Sequence, residues 1–282
     1  MPEAKLHDGS TIELAVNGQG PTLLLPVNPV PVEGAQADAM REWGVDPALG
    51  RSLIDGLADA FRVVAFDYEG HVMSTPKPDT LTPANVAADL LAVADAVDAA
   101  RFTYYGYSWL ALSGLQLAIR TDRLSALVMG GYPPLGGPYA EMLRVTTVTH
   151  EMSGQTPAPQ QKKEPTEAYD WDSVEVTMTE AQTRQFVTLY EELRSFDDRA
   201  AQASLSCPRL CFAGSADKIE YSERWGGVTV DIAGPIVSRR AELESLGWEV
   251  RVLDGLDHTQ AMQAPNVLPI LRPWLDSRVT ES

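Results

Sequence analysis

The chain has 282 residues, 44% of them hydrophobic, enough for one α/β domain with a full core. Its formal net charge of -17 repels phosphate backbones and anionic lipid, which argues against nucleic acid and acidic membranes as partners. No window approaches the roughly 18 uninterrupted apolar residues of a membrane span, and the opening MPEAKLHDGS has no apolar signal region, so a cytoplasmic protein is expected.

Along the chain, two kinds of hydrophobic segment alternate. The short kind, rich in β-branched and aromatic residues, comprises TIELAV from Thr11, TLLLPV from Thr22, RVVAFDY from Arg62 and FTYYGY from Phe102. It continues with LSALVMGG from Leu124, RLCFAG from Arg209 and WEVRVL from Trp248. Several are apolar without interruption, the pattern of a sheet covered on both faces. The fold class expected is therefore α/β, with a mostly parallel central sheet of about eight strands.

The long kind reads as crossover helices. LGRSLIDGLADAF is the first, and Thr82 caps the next, with Pro83 at its first position and Val86, Leu90, Val93 and Val97 as its apolar stripe. SWLALSGLQLAIRT and the segment from Ile236 to Leu246, stopped by Gly247, follow the same reading. From Pro133 to Ser204 the alternation fails. That stretch contains the polar run SGQTPAPQQKKEPTEAYDWD and then a helix with Thr179 and Gln182 in capping-box positions and an apolar face of Phe186, Leu189, Tyr190 and Leu193. Residues 133–204 are thus expected to be an inserted cap or lid on a core made of 1–132 and 205–282. Cys207 and Cys211 are the only cysteines. On one strand their Cα atoms would stand about 13 Å apart, too far for a disulfide.

The strand FTYYGY runs straight into the helix SWLALSG, which puts Ser108 at a sharp strand-to-helix junction, Gly106-Tyr107-Ser108-Trp109-Leu110. A nucleophile elbow occupies such a junction, with small neighbours letting helix and strand approach while the hydroxyl projects above the sheet. Gly106 and Ala111 suit it. Leu110 stands where such elbows usually carry glycine.

Three segments together make the chain resemble the α/β-hydrolase superfamily in its serine, acid, histidine order. They are the elbow at Ser108, RLCFAGSADKI with Asp217 after its strand, and LDGLDHTQAM with His258 after the last strand. The resemblance implies a catalytic triad of Ser108, Asp217 and His258, in which the histidine takes the serine proton and the aspartate orients the ring. His7 and His150 lie far from these segments, and His71 sits in DYEGHVMS, which resembles a structural loop of the family. In that loop Glu69 replaces a basic residue and reads as a solvated charge. Asp254 and Asp257 flank His258 too closely to orient it, and Glu220 is a weaker substitute for Asp217. The resemblance also implies an oxyanion hole from Trp109 and Asn28, although PVNPVP replaces the family's histidine-glycine pair and Pro29 has no amide.

Tyr107, Trp171 and Trp225 are the aromatic candidates for lining a substrate pocket. No cofactor or metal is implied, because no dinucleotide fingerprint, P-loop or metal-ligand cluster is present. The function expected is hydrolysis of a small ester, thioester or lactone through an acyl-enzyme. A serine at the elbow excludes the carboxylate nucleophile of the family's epoxide hydrolases. A carbon-carbon hydrolase or perhydrolase with the same triad, a biosynthetic acyltransferase or cyclase, and a non-catalytic binder on this scaffold stay open. The partner expected is a small-molecule substrate, with a homodimer as one open option.

Overall fold

Continuous apolar strands need cover on both sides, and the computed structural model supplies it for the residues it describes, 2–42, 44–153 and 176–279. The central sheet is built from β3 (Ala15–Asn17), β4 (Thr22–Leu25), β5 (Arg62–Ala65), β6 (Phe102–Tyr107), β7 (Leu124–Gly130), β8 (Arg209–Gly214) and β11 (Trp248–Leu253). Their order across the sheet is β11-β8-β7-β6-β4-β5-β3, and every pairing is parallel except β3 with β5. Seven strands stand in this sheet where about eight were expected. The segment TIELAV divides at the buried Leu14: its first half, β2 (Thr11–Glu13), pairs with β1 (Glu3–Lys5) in a separate hairpin, and its second half becomes the antiparallel edge strand.

Alternation within each strand sends side chains to opposite faces. Leu23 and Leu25 of β4, Val63 and Ala65 of β5, and Leu210 and Phe212 of β8 pack against α2 (Leu49–Leu57) and α12 (Ala264–Arg278). Leu24, Val64 and Cys211 face the other way, toward α4 (Pro83–Ala96) and α5 (Trp109–Ala118). Each fully buried Leu or Val on these faces contributes roughly 1.5–3 kcal/mol of transfer free energy. The helix α4 begins as its sequence dictates, with Thr82 Oγ1 accepting from the Asn85 amide and Pro83 in the first turn. The segment expected as one helix up to Leu246 is broken at Arg239 into α9 (Ala233–Ser238) and α10 (Arg240–Ser245), and Gly247 stops it at φ 86°.

Helices α1 (Gly34–Glu42), α3 (Tyr68–Ser74) and α6 (Tyr139–Met152) complete the first part of the chain. Helix α7 (Glu180–Glu192) carries the complete capping box of Thr179 and Gln182, and its buried Leu189 and Tyr190 join the core. Hydrogen bonds tie α7 to α3 and to the chain just after it: Gln185 Nε2 donates to the Val72 carbonyl at 3.0 Å, and the Lys77 amide donates to Gln185 Oε1 at 3.1 Å. The short α8 (Asp198–Ala201) follows, and beyond β8 the strands β9 (Lys218–Glu220) and β10 (Thr229–Asp231) form a second hairpin. Between β11 and α12 stands α11 (His258–Ala261), the single turn that carries His258. Cys211 lies in β8, Cys207 precedes it, and both are free thiols. Among the described residues no helix is long and apolar enough to cross a membrane.

Candidate active site

Ser108 sits between the last residue of β6 and the first of α5 with φ 56° and ψ -132°, a backbone conformation that costs a non-glycine residue about 1–3 kcal/mol and persists only where the surroundings impose it. The surroundings are hydrogen bonds and absent side chains. The Ser108 amide donates to the Gly130 carbonyl at 2.8 Å, and the Ser108 carbonyl accepts from Ala111 at 2.9 Å. A Cβ on Gly106 would lie 2.3 Å from the Leu110 carbonyl oxygen, so glycine is required at the strand end. Leu110 itself is accommodated: its side chain is 5% exposed, its carbonyl accepts from Tyr104 Oη at 2.8 Å, and it forms part of the cavity wall. The departure from glycine therefore reshapes the wall and leaves the turn intact.

Asp217 follows β8 and is fully buried. Its Oδ2 lies 2.8 Å from His258 Nδ1, which leaves the opposite ring nitrogen, Nε2, available as the acceptor a general base needs. Three hydrogen bonds join the loop of the acid to the loop of the histidine: Ser215 amide to Leu253 carbonyl at 2.8 Å, Ala216 amide to Leu256 carbonyl at 3.0 Å, and Gly255 amide to Ser215 Oγ at 2.8 Å. The rejected carboxylates have other work. Asp257 caps α11 by accepting from the Gln260 amide, Asp254 accepts from Ser215 Oγ, and Glu220 pairs with Lys218. The other histidines are engaged elsewhere as well: His7 with Asp89, His71 with Ser10, and His150 with Thr183.

Ser108 and His258 open onto one cavity of about 540 Å³, shared with Asn28, Tyr107 and Trp109. The Trp109 amide is in the first turn of α5, where backbone N–H groups have no intrahelical acceptor and the helix dipole favours negative charge. Asn28 Oδ1 accepts from the Val30 amide at 2.9 Å, which turns the side chain back on its own loop. Tyr107 has both a wall position and an anchor, because its hydroxyl donates to the His258 carbonyl at 2.7 Å. Burial pushes its phenol well above the usual range, so it stays a donor.

Not every aromatic candidate is gathered here. Trp225 is buried 6% exposed outside the cavity lining, under the Arg224 guanidinium 5.6 Å from its ring. Trp171 lies outside the described residues. Phe186 of α7 instead packs edge-on against Trp109 at 5.5 Å, a contact the amphipathic pattern of α7 foreshadowed without naming its target. Glu69, read from the sequence as a solvated loop charge, is exposed and stands in α3. It lines the same cavity as Ser108.

No family model matches the sequence, and no curated protein matches it either. Solved structures do match, over nearly the whole chain. An esterase from Thermogutta terrifontis is 19% identical with TM-score 0.61, covering 99% of this chain and 98% of its own. An esterase from Exiguobacterium antarcticum is 14% identical with TM-score 0.62, covering 98% and 99%. Epoxide hydrolase A from Mycobacterium thermoresistibile is 19% identical with TM-score 0.56, covering 96% and 98%. The chain has the α/β-hydrolase fold.

Proposed function

We propose that the protein is a serine hydrolase acting on a small ester, thioester or lactone. The observation that carries this reading is the forced backbone of Ser108 at a cavity it shares with His258, whose Nδ1 is held 2.8 Å from a buried carboxylate. Esterases among the structural neighbours support carbonyl chemistry.

In this reading Ser108 Oγ attacks the substrate carbonyl carbon while His258 Nε2 takes the hydroxyl proton. Asp217 fixes the tautomer and stabilises the imidazolium. The amides of Trp109 and Asn28 receive the developing oxyanion, a role worth about 10²–10³ in rate per donor. Collapse of the tetrahedral species expels the alcohol or thiol, which takes the proton from His258. Water then repeats the sequence on the acyl-enzyme, releasing the acid and free Ser108. Residues 133–204 act as the cap, with α7 setting the depth of the cavity through Phe186 and Trp109.

The test is intact-mass spectrometry after exposure to a fluorophosphonate. A single adduct on the wild type that vanishes in Ser108→Ala and His258→Ala is the expected result. An adduct that survives in Ser108→Ala, or none on a wild type that also leaves p-nitrophenyl esters untouched, overturns the assignment.

A further inference from the structure

Glu69 is the second residue of α3, and the helix that carries it is firmly placed. Asp67 caps it by accepting from the Gly70 amide at 2.8 Å, Tyr68 Oη donates to the buried Asp89 at 2.7 Å, and Gln185 holds the Val72 carbonyl. Tyr68 points into the core, its ring tilted against that of Trp109 with centroids 6.1 Å apart. Glu69 points into the reaction cavity. Its side chain is exposed to solvent, and the space it lines is the cavity.

The described residues lining that cavity include three carboxylates, Asp46, Asp67 and Glu69, and no lysine or arginine. Two of the three are already satisfied. Asp46 accepts from the Ala48 amide at 2.8 Å and from Ser52 Oγ at 3.3 Å, and Asp67 accepts from Gly70. Glu69 has the indole N–H of Trp109 to favour its ionised form and no lysine or arginine on the described cavity wall. Burial and the neighbouring Asp67 push its carboxyl above the usual range, the response of an acid whose environment supplies no cation. A carboxylate in this setting repels an anionic ligand and is stabilised by a cationic one.

We propose that Glu69 sets the charge preference of the reaction cavity, receiving an ammonium group on the substrate of Ser108 and disfavouring carboxylate-bearing substrates. The proposal rests on the serine-hydrolase reading for the word substrate, and on the cavity alone for the cation. The net charge of -17 works in the same direction, drawing cations toward the protein at low ionic strength.

The experiment compares acetylcholine with 3,3-dimethylbutyl acetate, which has the same shape without the charge, on the full chain and on Glu69→Gln and Glu69→Asp. The expected ratio of kcat/KM, charged over neutral, is about tenfold or more in the wild type, since a tenfold effect needs only one modest ion contact. It falls to about one in Glu69→Gln, persists in Glu69→Asp, and shrinks as salt is added. A wild-type ratio of one or below, or the same ratio in Glu69→Gln, overturns the proposal. Where neither ester is turned over, the thermal midpoint with benzyltrimethylammonium decides. A rise in the wild type that is absent in Glu69→Gln upholds the cation site even if no fluorophosphonate adduct forms and the hydrolase reading fails. No rise in the wild type removes the cation site, whatever Ser108 does.

Discussion

Tyr107 Oη donates to the His258 backbone carbonyl at 2.7 Å, and its ring lies 5.1 Å from the imidazole. The residue before Ser108 thus holds His258, across 151 positions of sequence. Removing the hydroxyl strands a part-buried carbonyl and frees the single helical turn that begins at His258. Tyr107→Phe is expected to cost about 1–2 kcal/mol of stability and to lower kcat on an ester about tenfold, the equivalent of about 1.4 kcal/mol in the barrier. Urea denaturation and steady-state kinetics read the two effects separately. A stability loss with kcat unchanged would make the hydrogen bond a fold contact alone.

The Asp217 and His258 loops meet through a glycine. A Cβ on Gly214 would stand 1.9 Å from the Leu256 carbonyl oxygen, inside the hydrogen bonds that join Ser215 and Ala216 to the histidine loop. Backbone cannot yield as a flexible side chain can, so Gly214→Ala must part the two loops. The expected cost is about 1–3 kcal/mol in stability, together with a fall in kcat of about tenfold or more as Asp217 and His258 separate. Thermal denaturation gives the first number and ester turnover the second. A variant as stable and active as the wild type would show that the loops are joined more loosely than these contacts imply.

The uninterrupted apolar strands and the strand-to-helix junction at Ser108 are visible in the sequence because each is a local pattern, and both faces of the sheet follow from them. Helix α12 escapes that reading. Its Pro269 and Pro273 resemble helix breakers, yet with Pro265 of the first turn they stand on one exposed stripe where water can take the carbonyls the two leave without a partner, while Val267, Leu271 and Leu275 are buried. The three-residue strands β9 and β10 are too short to show a period. Aromatic composition did not say that Trp225 would turn away from the cavity, nor that Phe186 would meet Trp109. The placement of Glu69 is likewise invisible in DYEGHVMS, because what separates a surface charge from a cavity charge there is the packing of α3 against α5 and α7.

The chain just after α3 carries a buried cation. Lys77 is 2% exposed and its ammonium pairs with Asp8, with Ser10 Oγ at 3.3 Å as a further partner. Burial raises the Asp8 carboxyl, but the hydrogen bonds from Lys77 and Ser10 and the charge of Lys77 outweigh it and hold the group well below its usual range. The two halves of this pair are unequal, since the Lys77 side chain is 1% exposed and that of Asp8 25%. Asp8→Asn abandons an ammonium away from water and is expected to cost about 3–5 kcal/mol at pH 7, whereas Lys77→Met leaves a carboxylate that water can reach and costs less. A depressed folded pKa means that the contribution of Asp8 is fully present above its unfolded value of about 4 and is lost as pH falls through the lower folded value. The gap between wild type and Asp8→Asn in urea denaturation is therefore expected to be constant from pH 7 to about 5 and to narrow below about 4. A gap that stays constant into acid, or a Lys77→Met variant less stable than Asp8→Asn, would mean that Asp8 does not hold the buried ammonium.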